Sequence, residues 1–198
     1  MKIIFYKGTK FGGWFSQLIC WWTKGPYSHT EICFSKQATL GYLATCQQGM
    51  FRELMITSKN QLPKDIVIDQ DNFFDLGNRR LCFSASEQDK KVRRKIIGIE
   101  GEKWDTIECV ATLDEERKFI FDCGRMRNMG YDYIGLLGFV SRKLFWIKPA
   151  KNKWWCSGTT WKMLKDWKYH KWTIKMPPSP NSLYRKLAGR EQPLRRLT

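Results

Sequence analysis

A helix followed at once by a strand is the sequence feature that most constrains the fold of this chain. The helix is indicated by four apolar residues at the spacing of one helix face: Phe15, Leu18, Ile19 and Trp22. This spacing predicts a helix over residues 14–23, which the sequence Lys24-Gly25-Pro26 ends. Residues 30–34 then alternate between the two faces of a strand. The two periodicities together indicate a mixed helical and strand architecture.

The remaining segments support an α+β class, with an antiparallel sheet packed against helices. Strands are predicted at 2–6, 80–86 and 92–99, and helices at 114–124, 133–144, 156–168 and 182–187. Residues 36–80 are interpreted as an insertion with strand fragments at 42–46 and 66–68. A length of 198 residues suits one domain, predicted here as residues 1–180, followed by a basic C-terminal tail at 181–198.

Positive charge is concentrated in the last third of the chain. Lysine and arginine outnumber the acidic residues 35 to 19, a net charge of +16. Fifteen basic and two acidic residues follow position 139, which places a net +13 there, together with six of the ten tryptophans. Such an excess predicts an anionic partner, which could be a nucleic acid, a membrane surface or a cell-wall polymer.

The cysteines show no pattern of disulfides or metal binding. There are seven, none in a CxxC pair, and only two histidines accompany them, so no metal and no cofactor is predicted. Unpaired cysteines are typical of a reducing cytosol. The apolar run at the N-terminus is too short for a signal peptide, and that at 14–22 is too short to span a bilayer. We therefore expect a protein made in the cytoplasm without a transmembrane segment.

Cys156 is the strongest candidate for a nucleophile. It begins a predicted helix in the sequence Trp155-Cys156-Ser157-Gly158-Thr159-Thr160. A helix N-terminus stabilises a thiolate, and its free backbone amides can hold an oxyanion. The alternative interpretation is a buried cysteine with a purely structural role.

His29 is the matching candidate for a general base. It lies at the start of a predicted strand, in the sequence Tyr27-Ser28-His29-Thr30-Glu31. A structural histidine at the surface is the alternative. The other histidine, His170, lies among Lys168, Lys171 and Trp172, a composition typical of a solvated face.

The order of several short motifs resembles that of circularly permuted papain-like cysteine hydrolases of the NlpC type, in their phage and prophage branch. The motifs are Thr23 before Tyr27-Ser28-His29, Ser84-Ala85-Ser86, Val92-Arg93, Tyr131-Asp132-Tyr133-Ile134-Gly135, Cys156-Ser157-Gly158, and Pro180 before Leu183-Tyr184. In the unpermuted family the cysteine helix precedes the histidine strand, whereas here the histidine strand comes first. The resemblance covers most of the chain except residues 36–80 and the basic tail.

The resemblance implies roles for individual residues. Cys156 would be the nucleophile, His29 the base, and Tyr131 an oxyanion-stabilising residue. Ser84 falls at the position that orients the histidine, where a serine lacks the charge that stabilises imidazolium. Glu31, two residues from His29 on the same strand face, could take that role, or could be a solvent-facing carboxylate. Gln47 or Gln48 remains a further alternative for that position.

These features lead to three functional hypotheses. The first is a cysteine hydrolase that cleaves an amide or ester through an acyl-enzyme, most simply a phage-encoded peptidase or amidase of cell-wall peptidoglycan. The second is a non-enzymatic virion or binding module with a basic docking face, and the third is a lipid acyl hydrolase or transferase. The basic and aromatic stretch at 143–175 also allows nucleic-acid binding, which is less favoured because no nucleic-acid-binding motif frames it. The expected location is the host cytoplasm, with association with the virion as an extension.

Overall fold

Seven strands form one curled sheet in the computed structural model, which describes residues 1–46, 76–133, 135–136, 152–169, 177–189 and 194. The strands are β1 (Lys2–Lys7), β2 (Tyr27–Cys33), β3 (Arg79–Ser86), β4 (Lys91–Gly98), β5 (Trp104–Glu108), β6 (Gly130–Tyr131) and β7 (Lys153–Trp154). Their order across the sheet is β5-β1-β2-β3-β4-β6-β7. All neighbours are antiparallel except β6 and β7, which are parallel.

Six helices accompany the sheet in the described part of the chain. They are α1 (Gly8–Phe11), α2 (Trp14–Thr23), α3 (Lys36–Ala44), α4 (Leu113–Gly124), α5 (Cys156–Asp166) and α6 (Pro180–Ala188). The predicted α+β class is confirmed, and α2 occupies the predicted range. The helix predicted at 133–144 lies mostly outside the described residues. Within the described ranges, every helix is too short or too polar to cross a membrane.

The main core lies on one face of the sheet. Alternate residues of the central strands, such as Phe5 and Phe83, are completely buried there and pack with Phe119 of α4. The other face carries a smaller cluster built around Ile4, Cys33 and Cys82. Strands β1, β2 and β3 are therefore packed on both faces, and β2 is the strand that carries His29.

Helix α3 corrects the strand fragment predicted at 42–46. The side chain of Ser35 caps this helix by accepting a hydrogen bond from the Ala38 amide. Thr39, a buried residue of the same helix, donates its hydroxyl to the Ser35 carbonyl. Tyr42 and Thr45 favour a strand by local propensity, but the cap and the packing of α3 on β3 and α4 override it. The rest of the predicted insertion, 47–75, lies outside the described residues.

Helix α6 belongs to the packed domain. It contacts β2 and α2, and both Leu183 and Leu187 are buried. The predicted boundary at residue 180 therefore falls inside a packed helix. Farther along, Leu194 is buried and forms an isolated bridge with Cys109. The predicted tail thus contributes to the fold through at least these apolar residues.

Candidate active site

The site forms where β2 and β3 separate. These strands pair only at Ile32 with Phe83 and at Cys33 with Cys82, so the first half of β2 has no backbone partner on its β3 side. Helix α5 packs against both strands. His29 lies in this unpaired half of β2, where a helix can approach the strand.

Cys156 is the first residue of α5 and is almost completely buried, at 1% exposure. Its Sγ lies 4.0 Å from the carbonyl oxygen of Ser28, the residue before His29. Among the residues that the structure describes, no side chain caps α5, and the first amides of a helix lack intrahelical partners. The end of α5 therefore presents backbone N–H groups and a favourable dipole to negative charge at this position.

The imidazole of His29 lies between Cys156 and Glu31. Its Nε2 is 3.0 Å from Oε1 of Glu31, two residues farther along the same face of β2. Burial opposes the imidazolium, but the neighbouring Cys156 and Glu31 outweigh this and raise the pKa of His29 to about 9. The His29 side chain keeps 23% of its surface exposed, so the site opens to solvent on the imidazole side.

Arg93 holds the Glu31 carboxylate in place. Its two terminal nitrogens donate to the two oxygens of Glu31 at 2.9 and 3.0 Å, and its Nε donates to Asp89 at 3.0 Å. Burial of Glu31 opposes ionisation, yet the charges of Arg93 and His29 lower its pKa to about 2. The carboxylate is thus ionised throughout the physiological pH range and can stabilise an imidazolium.

Ser84 does not orient the histidine, which corrects the prediction made for it. Its hydroxyl donates to the Thr30 carbonyl at 2.7 Å, supplying a bond where β2 and β3 have no backbone pairing. Ser84 also lies opposite Arg93 in the β3–β4 register. Of the candidates for the orienting position, Glu31 makes the hydrogen bond, and Gln47 and Gln48 lie outside the described residues.

Tyr131 lies beside Cys156 because of the parallel pairing of β6 with β7. Tyr131 is the register partner of Trp154, two residues before the cysteine. Burial, and then the charge at Cys156, raise the pKa of the Tyr131 phenol well above its usual range. The ring packs on Tyr133, and the hydroxyl has no hydrogen-bond partner among the residues that the structure describes. It can therefore donate to a group that enters the site.

Two glycines make room for Trp155, the residue before the nucleophile candidate. A methyl group at Gly135 would overlap Asp132 and lie 2.6 Å from the Trp155 ring, and one at Gly158 would lie 3.0 Å from it. The Gly135 amide also donates to Oδ1 of Asp132 at 2.8 Å. These contacts give a steric reason for both glycines, in the Tyr131–Gly135 motif and in Cys156-Ser157-Gly158.

We expect Gly135→Ala to destabilise the protein by about 1–3 kcal/mol, because overpacking against Trp155 and Asp132 forces them to move. Urea unfolding followed by circular dichroism measures this change. Gly41→Ala in α3 is the control, since its nearest neighbour is 3.7 Å away and a helical alanine adds roughly 1 kcal/mol of stability. Equal stability of Gly135→Ala and the wild type would contradict the steric argument.

Asn181 supports the site and was missed by sequence analysis. Its Oδ1 accepts from the Tyr27 amide at 3.0 Å, and its Nδ2 donates to the Tyr27 carbonyl at 2.8 Å and to the Thr23 hydroxyl at 2.5 Å. A methyl group at Gly25 would overlap this amide. Asn181 thus fixes the turn from α2 into β2, two residues before His29. Apolar periodicity gives no signal for such a residue.

Neither nearby metal-binding groups nor similarity to known proteins gives further information about this site. In the described ranges, no three His, Cys, Asp or Glu residues come together as a metal site would require, and His170 lies outside those ranges. No family model matches this chain, and no curated protein or solved structure is significantly similar to it. The geometry of the site and the short motifs are therefore the features that indicate a function.

Proposed function

We propose that this chain is a cysteine hydrolase that cleaves an amide or ester bond through an acyl-enzyme. The observation that carries the proposal is the arrangement of Cys156, His29 and Glu31, with Glu31 held by a buried two-point contact to Arg93. A nucleophile, a base and a group that orients the base are the three parts of a hydrolytic triad. The structural alternative, a buried cysteine without function, does not account for an ionised carboxylate buried behind the histidine.

Each step of the proposed reaction has a group suited to it. His29 accepts the thiol proton of Cys156, and the thiolate attacks the substrate carbonyl carbon. The resulting oxyanion receives hydrogen bonds from the amides at the start of α5 and from the Tyr131 hydroxyl. His29 then gives its proton to the leaving amine or alcohol, leaving a thioester on Cys156. Water, deprotonated by His29, hydrolyses this thioester and restores the thiol.

The order of these parts along the chain supports the permuted papain-like layout as the finer description of the fold. The histidine strand β2 comes early, the Tyr131 segment follows, and the cysteine helix α5 comes late. The interleaved order requires that α5 pack against β2 from the distant end of the sequence, which it does. We propose this layout on the order and contacts of the described elements.

We expect iodoacetamide to alkylate Cys156 faster than the other six cysteines at neutral pH. The imidazole of His29 lies beside Cys156 and can accept its thiol proton, and the thiolate is the form that iodoacetamide alkylates. His29→Ala removes this proton acceptor and should slow the alkylation of Cys156 by about tenfold or more. Peptide mapping by mass spectrometry over a time course measures both rates.

Cys46 is the internal control in that experiment. It is more accessible than Cys156, but burial raises the pKa of its thiol, so exposure and reactivity predict opposite orders of labelling. The same cause raises the pKa of Cys20, Cys82, Cys109 and Cys123. Faster labelling of Cys46 than of Cys156, or an unchanged rate in His29→Ala, would refute the proposed nucleophile.

The substrate class is tested with two materials that match the proposed chemistry. Purified peptidoglycan tests the phage-type peptidase or amidase, and phospholipid tests the acyl hydrolase. Mass spectrometry of the products reports the bond that is cleaved, and the matched control is Cys156→Ala. If Cys156 is alkylated readily but neither material is cleaved, the assignment of Cys156 as the nucleophile would stand and both substrate classes would be excluded.

A further inference from the structure

Helix α2 is apolar on two opposite sides. Phe15 and Ile19 pack against the core, and Cys20 is buried. The other side remains exposed, together with the last residue of α1, and we call these five residues the aromatic surface: Phe11, Trp14, Leu18, Trp21 and Trp22. Trp14 is 77% exposed and Trp21 72%. A soluble helix normally keeps one of its sides polar.

The exposed residues of α2 form a continuous stripe. Trp14, Leu18 and Trp21 follow each other at intervals of four and three residues, which places them on one side of the helix. The helix contains no charged side chain, and the chain has no acidic residue before Glu31. A contiguous exposed apolar stripe of this kind marks an interaction site. Tryptophan in particular favours boundaries between an apolar and a wet environment.

Three cations border one end of the aromatic surface. Helix α6 packs on α2 and places Arg185 beside Lys24, where the guanidinium donates to the Lys24 carbonyl at 3.4 Å. Lys186 follows on the same helix, and all three side chains are exposed. None of the three pairs with a carboxylate of the described residues, whereas Lys10, near Phe11, pairs with Glu102. Uncompensated positive charge therefore lies at the C-terminal end of α2.

We propose that the aromatic surface docks the protein onto an anionic lipid bilayer, with α2 lying in the plane of the interface. The tryptophan rings would enter the headgroup region, and the three cations would contact lipid phosphates. A lipid surface fits better than a nucleic acid because Leu18, between Trp14 and Trp21, continues the stripe with hydrocarbon rather than with a stacking ring. The proposal does not require Cys156 to be reactive, so it stands or falls separately from the hydrolase.

The two helices that carry the aromatic surface pack against β2, the strand that carries His29. Gly8 of α1 and Cys20 of α2 both lie against Ser28, and a side chain at Gly8 would overlap the Ser28 hydroxyl. Ser28 precedes His29, whose side chain is the exposed member of the site. The two short helices therefore connect the aromatic surface directly to β2.

Sedimentation with vesicles of phosphatidylcholine, with and without phosphatidylglycerol, tests the proposal. We expect binding to the vesicles that contain phosphatidylglycerol, and the same binding by Cys156→Ala. Trp14→Ala and Trp21→Ala should each weaken it by about tenfold, as expected for the loss of a buried ring. Phe121→Ala is the matched control, because Phe121 is 71% exposed on α4, away from the aromatic surface.

The charge requirement is tested with two triple variants of equal net charge. The first removes the three bordering cations: Lys24→Gln, Arg185→Gln and Lys186→Gln. The second removes three exposed cations of α4 and its C-cap: Arg117→Gln, Lys118→Gln and Arg125→Gln. The first should weaken binding by roughly a hundredfold, at about fivefold for each cation, and the second only slightly.

Several results would overturn the proposal. One is the absence of binding to phosphatidylglycerol vesicles at low salt, and another is unchanged binding by the double variant Trp14→Ala/Trp21→Ala. A dimer that this double variant dissociates, seen by analytical ultracentrifugation without vesicle binding, would instead assign the surface to self-association. Salt-sensitive binding of single-stranded DNA that depends on the same tryptophans, again without vesicle binding, would assign it to nucleic acid.

Discussion

Arg93→Met is expected to lower the free energy of unfolding by about 3–5 kcal/mol, because it leaves the buried Glu31 carboxylate without its cation. The expected loss is large for a single contact, since Arg93 satisfies both oxygens of Glu31 and also contacts Asp89. Chemical denaturation at neutral pH measures it. Arg117→Met is the matched control, because its pair with Asp114 is exposed and contributes at most roughly 0.5 kcal/mol.

The pH dependence of stability reports the same contact. The pKa of Glu31 is lowered to about 2, so its stabilising contribution is present above the ordinary carboxyl range and is lost as the pH falls toward 2. The pKa of His29 is raised to about 9, so its contribution is full below its ordinary value and is lost as the pH rises through 9. In Arg93→Met the loss of stability on acidification should begin at a pH closer to neutral, because Glu31 no longer has the cation that lowers its pKa.

A double variant separates stability from reactivity. Glu31→Gln/Arg93→Met removes both buried charges, and it should recover much of the stability that Arg93→Met loses. The alkylation of Cys156 should nevertheless be slower in this double variant than in the wild type, because a glutamine carries no charge to stabilise the imidazolium of His29. If Arg93→Met cost less than about 1 kcal/mol, the buried pair would have no structural importance. If the double variant reacted at the rate of the wild type, the proposed role of Glu31 would be wrong.

Asn181→Ala is expected to cost about 2–4 kcal/mol, because it leaves the amide and the carbonyl of Tyr27 without their partners. The turn that leads into β2 would loosen, and the alkylation of Cys156 should slow as His29 loses its position. Asn78→Ala, at an exposed asparagine, is the control and should change stability by less than roughly 0.5 kcal/mol.

Gly25 supplies an independent check on Asn181. Gly25→Ala should also destabilise the protein, because its methyl group would overlap the Asn181 amide. In Gly25→Ala/Asn181→Ala the amide is absent and the methyl group has room. The double variant should therefore lose less stability than the sum of the losses in the two single variants. Strict additivity would mean that the two residues do not act through their contact.

The parts of the site that sequence analysis predicted are those that local signals reveal. Cys156 begins a helix and His29 lies in the first half of a strand, and both elements can be read from apolar periodicity and turn residues. Helix α2 was predicted at its observed bounds for the same reason. In α3, the Ser35 cap was a local signal too, but the strand propensity of Tyr42 and Thr45 obscured it.

The parts that sequence analysis missed depend on register and on distant contacts. Whether Ser84 or Glu31 orients His29 depends on where β2 and β3 stop pairing, which no local pattern reveals. Arg93 reaches Glu31 from two strands away, so its role follows only from the β3–β4 register. Asn181 lies 154 residues from Tyr27, in a segment predicted as a basic tail.

The contact between Asn181 and Tyr27 also orders events during synthesis of the protein. The ribosome makes β2 before α6, and Asn181, which holds the first turn of β2, emerges 154 residues after Tyr27. The candidate nucleophile on α5 also follows His29 by more than a hundred residues. Contacts of such long sequence separation form late in folding. A nascent or prematurely terminated chain that lacks α5 and α6 therefore lacks the assembled site, and the reactive pair comes together only after both helices have been made.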